Sequence, residues 1–579
     1  MRLTDYLDKG ASLGPGSPCL TTGDHTLTYG EVQALSWRVA RGLERSGVRP
    51  GEKVAVLSAN DPTAFSCVFG ISRAGAVWCP VNPRNEAAEN RELLDLFDCV
   101  CLVFQEAYAP LVAKILPDLP KLTTLVCLDG TPGFAVSFDQ WLDGVSAEPW
   151  QPEPVGTPES VGTPESRGTS EPVGTPQPLG IPESVGTPQP LGTPQPLGTS
   201  EPPGTSELLG RSESLATVGD TVMLVGTGGT TGRPKGVMLT DRNIETMTAL
   251  TLMSYPFGSR PVYLALAPLT HAAGVLCFPV MTLGGEIVIM PTPDLTRYLS
   301  LVERHRVTHT FLPPTLIYML LGHPGLDGAD LSSLRCLWYG AAPMSAARLE
   351  EAIHRIGPVM AQLFGQSEAP MMISTMAPGD HFHPDGSLAV ERFSSAGRPS
   401  PLVQVAIMDG EGRLLPPGEH GEIVVRGSLV MAGYYKDPSA TEETSRHGWH
   451  HTGDIGYLDA DNYLFIVDRA KDMIISGGFN VYSTQVEQAV MEHPAVRDCA
   501  VVGLPDDTWG ERVVAVLELH PGENVTDDGM RAFVKARIGS VKAPKQVEVW
   551  PDLPRSKLGK VVKTEVRSRL LRDASRGHP

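Results

Sequence analysis

After Thr28-Tyr29-Gly30-Glu31, apolar residues recur every three or four positions: Val32, Leu35, Val39 and Leu43 fall on one face of a helix. Val48-Arg49-Pro50-Gly51-Glu52 reads as the turn that ends it. Val54-Ala55-Val56-Leu57 is a short unbroken apolar run, the pattern of a strand buried on both faces. A second helical pattern carrying Phe65, Phe69 and Ile71 leads into a further strand, Ala76-Val77-Trp78-Cys79-Pro80. Strands alternating with helices predict an α/β class, a parallel sheet covered by helices on both faces. The same alternation resumes at Thr221 and runs to about Val467. From about Lys471 to Pro579 the rhythm changes. Val486, Val490 and Val496 precede two apolar strands, Ala500-Val501-Val502-Gly503 and Val513-Val514-Ala515-Val516-Leu517, which predicts a small α+β domain.

Between the two α/β stretches the pattern collapses. From about Glu148 to Ser214 the chain repeats variants of Val-Gly-Thr-Pro-Glu-Ser and Leu-Gly-Thr-Pro-Gln-Pro, and aromatics vanish after Trp150. Such a tract lacks the apolar surface to offset ~1–2 kcal/mol of backbone entropy per residue, so disorder is predicted. Its short, imperfect period does not match a solenoid. It reads as an expanded surface loop between two structured halves.

The chain has 579 residues, too many for one ordinary core, with 41% hydrophobic and 20% charged residues as in globular proteins. The net charge of −19 argues against a phosphate-tracking surface for nucleic acid, so any anion site has to be built locally. Met1-Arg2-Leu3-Thr4-Asp5-Tyr6 lacks the apolar run of a signal peptide, and no stretch has the length and apolarity of a membrane span. The expectation is a cytoplasmic protein. The nine cysteines are scattered without a Cys-x-x-Cys pair and read as reduced, buried hydrophobes. His381 and His383, and the group His447, His450 and His451, match no familiar metal-ligand spacing.

One segment points to chemistry by composition alone. The apolar strand Val222-Met223-Leu224-Val225 runs into Gly226-Thr227-Gly228-Gly229-Thr230-Thr231-Gly232-Arg233-Pro234-Lys235-Gly236. Glycines let backbone N–H groups converge on phosphate oxygens, hydroxyls add donors, and lysine adds a point charge. The segment has neither the Gly-Lys-Ser/Thr ending of a Walker loop nor the dinucleotide Gly-x-Gly-x-x-Gly spacing.

This loop resembles the phosphate-binding signature of the acyl-adenylate-forming superfamily, which includes acyl-CoA ligases, peptide-synthetase adenylation domains and beetle luciferases. Gly228 stands where that signature usually has serine. Further motifs follow in the family's order. Trp338-Tyr339-Gly340-Ala341-Ala342-Pro343 resembles the segment lining the adenine and the acyl pocket. Phe364-Gly365-Gln366-Ser367-Glu368 resembles Tyr-Gly-x-Thr-Glu, which implies Mg²⁺ held by Glu368 and a hydroxyl of Ser367 at the α-phosphate. Gly448-Trp449-His450-His451-Thr452-Gly453-Asp454 is similar to Gly-Trp-x-x-Thr-Gly-Asp, implying that Asp454 accepts both ribose hydroxyls. Within Asp468-Arg469-Ala470-Lys471-Asp472 the resemblance makes Arg469 a nucleotide contact and Lys471 the interdomain hinge. It places Gly477 and Gly478 along the thiol tunnel and makes Lys560, in Pro554-Arg555-Ser556-Lys557-Leu558-Gly559-Lys560, the adenylation lysine. The family's Asn-Ile-Tyr-Pro-x-Glu-Val-Glu reads here Asn480-Val481-Tyr482-Ser483-Thr484-Gln485-Val486-Glu487, a drift expected to leave the chemistry untouched.

The implied layout is a large N-terminal adenylate-forming domain of layered α/β subdomains and a small mobile α+β C-terminal domain. Residues 1–147 and 215–467 form the large domain with the ATP and acyl sites, 148–214 the repeat insertion, 468–471 the hinge and 472–579 the small domain. The implied nucleotide set is Thr227, Gly228, Gly229, Thr230, Thr231, Gly232, Lys235, Gly340, Ala341, Ala342, Phe364, Gly365, Gln366, Asp454 and Arg469, and the implied catalytic set Lys560, Glu368, Ser367 and His271. The implied cofactors are ATP, Mg²⁺ and coenzyme A.

Amino-acid adenylation domains usually carry an aspartate in the stretch that here reads Pro268-Leu269-Thr270-His271-Ala272-Ala273-Gly274. No carboxylate is there to pair a substrate ammonium, and Pro-Leu-x-His resembles the acyl-CoA ligases instead. The acyl pocket is expected to be apolar around His271, Ala272, Ala273, Val275, Leu276, Gly340, Ala341, Gly365 and Met371, with the acid itself unspecified. A standalone enzyme that loads a carrier protein in trans is the alternative, and a homodimer is left open. A non-catalytic scaffold is disfavoured because every charged catalytic position is filled.

Overall fold

A computed structural model describes residues 1–149, 221–227, 234–258, 260–269, 272–469, 471–477, 479–506, 508–555 and 561–576. The expected disorder of the repeat tract, and Gly228, Gly229, Thr230, Thr231, Gly232, Thr270, His271, Gly478 and Lys560, lie outside the described residues. By their contacts, Met1–Glu148 and Ala216–Pro579 form one compact unit.

A helix spans Tyr29–Arg45, and Thr28 and Glu31 close a capping box at its start. The Thr28 hydroxyl accepts from the Glu31 N–H at 3.3 Å, and the Glu31 carboxylate accepts from the Thr28 N–H at 2.7 Å. Strands Lys53–Leu57 and Val77–Val81 pair in parallel, connected through the helix Pro62–Arg73. They belong to an eight-stranded sheet that also holds Thr221–Thr227 and Lys235–Thr240. A nine-stranded sheet carries Val262–Ala265, His309–Phe311, Cys336–Tyr339 and Met360–Gln366 as parallel neighbours. Both sheets contribute to one buried core. Val54 and Trp78 of the first and Tyr263, Ile287 and Trp338 of the second join helix residues such as Leu7, Val39, Phe69 and Met247. Each sheet has a second core on its other face. Strands buried on both sides explain the near-continuous apolar runs.

A four-stranded antiparallel sheet follows, formed by Gln404–Met408, Gly421–Arg426, His450–Leu458 and Leu464–Arg469. Beyond it lies a five-stranded sheet around the antiparallel pair Val496–Asp506 and Gly510–Leu519. Alternation along that pair builds two cores. Val513, Ala515 and Leu517 pack with residues of the helices Ser483–Met491 and Asp527–Lys542, while Val514 and Val516 pack with Val566 and Leu570 of the helix Lys563–Arg576. The architecture is α/β with a smaller α+β part, as expected. All nine cysteines are free and buried. No helix among the described residues is long and apolar enough to cross a membrane.

Candidate functional site

The strands that flank the glycine-threonine segment are neighbours in one sheet. Thr221–Thr227 and Lys235–Thr240 pair antiparallel with Thr227 opposite Lys235, so the first and last residues of the segment are held side by side. Lys235 Nζ lies 4.7 Å from the centre of the Tyr434 ring, a cation–π contact. The Tyr434 hydroxyl donates to Glu368 Oε1 at 2.7 Å. Burial first, and the Glu368 charge second, raise the Tyr434 pKa, so the phenol stays protonated and a donor. The loop lysine and the carboxylate of the Phe364–Glu368 motif are thus tied through a tyrosine that the sequence did not single out.

Ser367 and Glu368 sit in the turn between Met360–Gln366 and Ala369–Met376, where Gln366 pairs with Ala369. The Glu368 carbonyl accepts from the Met431 N–H at 2.7 Å, anchoring the turn. Glu368 Oε2 takes no hydrogen bond from any described residue. Among the described residues no three His, Cys, Asp or Glu side chains cluster as a metal cage. A single carboxylate is nevertheless the donor set that suits Mg²⁺ arriving with a nucleotide, since this ion keeps water and phosphate oxygens as most of its shell.

The other motif residues converge on a cavity of about 380 Å³, lined by Gly340, Ala341, Ala342, Phe364, Gly365, Asp454, Arg469 and Lys471 and, from the opposite side, by Thr484, Glu487 and Val561 to Thr564. Its size is that of a small-molecule site. Two backbones approach closely at its wall. A Cβ on Gly340 would lie 2.3 Å from the Leu363 carbonyl oxygen, and one on Gly365 would lie 2.3 Å from the Met371 nitrogen. Glycine is therefore required at both positions. Ala341 and Met371 adopt φ of 64° and 63°, left-handed conformations that non-glycine residues adopt at a cost and that cluster at functional sites.

The Trp338–Tyr339 strand end is braced from behind. His381 Nδ1 lies 3.1 Å from the Ala377 carbonyl oxygen and Nε2 3.0 Å from the Tyr339 hydroxyl. A carbonyl only accepts, so Nδ1 carries the hydrogen and Nε2 accepts from Tyr339. Burial pushes the His381 pKa down to about 4, so this histidine is a neutral structural residue.

Asp454 is buried, and the strand register sets it opposite Arg469, whose Nε donates to Asp454 Oδ1 at 2.7 Å. The preceding turn is fixed by Glu422, which accepts from the Gly453 N–H at 3.0 Å and bonds His451 Nδ1 at 2.7 Å. The Thr452 hydroxyl accepts from the Asp454 N–H at 3.1 Å, and Gln366 Nε2 donates to the Thr452 carbonyl at 3.4 Å. The candidate ribose acceptor and the candidate nucleotide arginine are therefore already one ion pair at the cavity wall.

Gly477 is elsewhere. Its φ is 60°, its N–H donates to the Trp509 carbonyl at 2.7 Å, and a Cβ there would meet the Trp509 ring at 2.9 Å. The structure does not bring it to the cavity. In the expected acyl-pocket segment, Val275 and Leu276 are buried in the helix Ala272–Thr282. Ser483, which stands where the related motif has proline, contacts the Asp468 carboxylate directly.

Residues 7–435 match the model of the AMP-binding enzyme family, and residues 485–560 match that of the AMP-binding enzyme C-terminal domain. The medium/long-chain-fatty-acid–CoA ligase FadD8 of Mycobacterium tuberculosis is 44% identical over 357 residues, 60% of this chain and 61% of that one. Feruloyl-CoA synthase of an Amycolatopsis species is 34% identical over 96% of this chain and 97% of its own. Among solved structures, the amide bond synthetase McbA from Marinactinospora thermotolerans superposes with a TM-score of 0.79 at 27% identity, covering 98% of this chain and 99% of that one. The ordered motifs, the cavity they line and these matches agree: the chain belongs to the AMP-binding enzyme family, in the acyl-CoA ligase branch of the acyl-adenylate-forming superfamily.

Proposed function

We propose that this protein is an ATP-dependent acyl-CoA ligase. The single observation that carries the reading is the cavity between the Gly340–Met344 segment and residues 561–564, with the Asp454–Arg469 pair in its wall. A carboxylate repels nucleophiles, so it must first be activated. One carboxylate oxygen attacks the α-phosphorus of Mg·ATP; the bond to the bridging oxygen breaks, pyrophosphate leaves and a mixed anhydride remains. The thiol sulfur of coenzyme A then attacks the acyl carbon, its proton is lost, and AMP departs.

In this reading the segment from Thr227 through Gly228, Gly229, Thr230, Thr231 and Gly232 to Lys235 cradles the phosphates, and Asp454 takes the ribose. Ser367 meets the α-phosphate, while Gly340, Ala341, Ala342, Phe364, Gly365 and Gln366 form the walls around base and acyl group. Arg469 contacts the nucleotide, His271 and Ala272 border the acyl group, and Lys560 neutralises charge at the reacting oxygens. The protein's contribution is positioning and preorganised charge. Lys471 is the pivot about which the small domain exchanges Lys560 for the Gly477-Gly478 thiol channel. Glu368 would hold the Mg²⁺ that accompanies the nucleotide, an ion that would neutralise phosphate charge. Cytoplasmic location is part of the reading; a homodimer and a carrier protein as thiol donor remain alternatives in it.

The test is a carboxylic-acid library followed by pyrophosphate release and thioester mass. An acid that supports both with ATP, Mg²⁺ and CoA is expected. Accumulating acyl-AMP that only a carrier protein discharges would favour the carrier-loading reading, and no pyrophosphate from any acid would sink both. The repeat tract is expected to be dispensable for this chemistry, because its composition cannot build a core and it ends before the glycine-threonine segment begins. Deleting Gly156 to Gly204 should leave the thermal midpoint unchanged and kcat/KM within a few-fold; a tenfold loss in a folded deletion protein contradicts this.

A further inference from the structure

Asp468 and Arg469 end the strand Leu464–Arg469 and point to opposite sides, as successive strand residues do. Arg469 goes to Asp454. Asp468, 3% exposed, goes instead to the first turn of the helix Ser483–Met491. Its carboxylate accepts from the Ser483 N–H, from the Ser483 hydroxyl at 2.8 Å and from the Thr484 hydroxyl at 3.4 Å. The helix's own N-cap residue, Tyr482, supplies no side-chain cap. Asp468 therefore provides, from a neighbouring sheet, the anion that a helix N-terminus favours. Ser483 Oγ in turn accepts from Lys563 Nζ at 2.6 Å, and Lys563 is paired with Glu487 at 2.8 Å. An ammonium only donates, so the serine hydrogen is left for Asp468. The chain of donors runs one way, from Lys563 through Ser483 to Asp468.

Asp468 belongs to the four-stranded sheet, whereas Ser483, Thr484 and Lys563 belong to helices packed on the five-stranded one. The bonds cross the seam between them. Val561, which follows Lys560 directly in the chain, faces the same cavity as Gly340 in this arrangement. We propose that Asp468, Ser483 and Lys563 form a latch that holds the small domain in the adenylation orientation and opens for thiol transfer, with Ser483 as its positioning residue. The inference rests on Lys471 as the hinge: a pivot there leaves Asp468 with the large domain and carries Ser483 away. The related motif has proline where Ser483 stands, and proline offers neither the N–H nor the hydroxyl. The latch is thus a property of this chain and not of the shared signature.

Ser483→Pro removes both donors while sparing the helix, since proline is favoured at the first helical position and Tyr482 already has the extended φ −83°, ψ 118° that precedes proline. Ser483→Ala removes the hydroxyl alone. The nine native cysteines are buried, so dyes can be placed on the full chain through Met253→Cys and Leu571→Cys, both exposed. Energy transfer is then read with Mg·ATP and, separately, with AMP plus CoA. The unsubstituted chain should favour one orientation with Mg·ATP and the other with AMP plus CoA. With Mg·ATP, Ser483→Pro should move the population ratio about tenfold toward the second orientation, and Ser483→Ala by a smaller factor. Distributions unchanged in both variants, in a chain that does switch between the two ligand sets, would overturn the latch alone. A chain with one orientation under both ligand sets would overturn the hinge reading and the latch together. Should Ser483→Pro fail to fold, the Ser483→Ala result decides.

Discussion

Lys560→Ala is expected to cut pyrophosphate release from acid and ATP by about 10²–10³-fold, the usual effect of losing one preorganised donor at a charge-developing centre, or ~3–4 kcal/mol. The carboxylate and the α-phosphate are both anionic, and their approach is the barrier this lysine would lower. Supplied with pre-made acyl-AMP, the same variant should still form thioester, because the proposed rotation of the small domain would take that lysine away from the reacting atoms. Gly478→Leu should behave in the opposite sense: near-normal adenylation, and failure with CoA where a side chain obstructs the thiol channel. Gly477 has a positive φ and no room for a Cβ against Trp509, so the backbone there is fixed. Equal loss of both half-reactions in Lys560→Ala, with the fold intact by circular dichroism, would show that the lysine serves both steps and overturn the division of labour.

Much of this site is legible in the sequence because its parts are local. A phosphate loop needs glycines and hydroxyls in one run after a strand, and Thr221 to Lys235 supplies them without long-range information. Thr28 and Glu31 announce a helix start in the same local way, and the structure closes the capping box. What stayed hidden depends on which residues meet across the fold. Gly433-Tyr434-Tyr435 looks like two equivalent aromatics, yet Tyr434 binds Glu368 while Tyr435 bonds Asp98 at 3.1 Å. Only the strand pairing decides which one faces the site. The pairing of Asp454 with Arg469 follows from a register between two strands that no local pattern specifies. The Ser483 contact was hidden for a related reason: the carboxylate it faces lies 15 residues earlier in the chain, on another element.

Glu368→Gln is expected to lower adenylation by about 10²-fold or more while leaving the thermal midpoint unchanged, and the geometry makes the substitution informative. Glu368 Oε1 accepts the Tyr434 hydroxyl at 2.7 Å, and Tyr434 supports Lys235 through its ring at 4.7 Å. A glutamine carbonyl accepts the same hydrogen bond, so the Lys235–Tyr434–Glu368 arrangement persists and only the negative charge is lost. A hard divalent cation carried by the nucleotide loses its protein carboxylate, and the Mg²⁺ concentration for half-maximal pyrophosphate release should rise. Tyr434→Phe is the complementary variant. It keeps the ring beneath Lys235 and removes the bond that aims Glu368; hydrogen bonds to charged groups contribute about 1.5–3 kcal/mol, so a loss of about 10–100-fold is the upper range for a partly exposed carboxylate. The Mg²⁺ requirement should change less than in Glu368→Gln, because the charge remains. If Glu368→Gln adenylates within threefold of the unsubstituted enzyme at every Mg²⁺ concentration, the carboxylate does no more than hold Tyr434, and the ion is bound by phosphate and water alone.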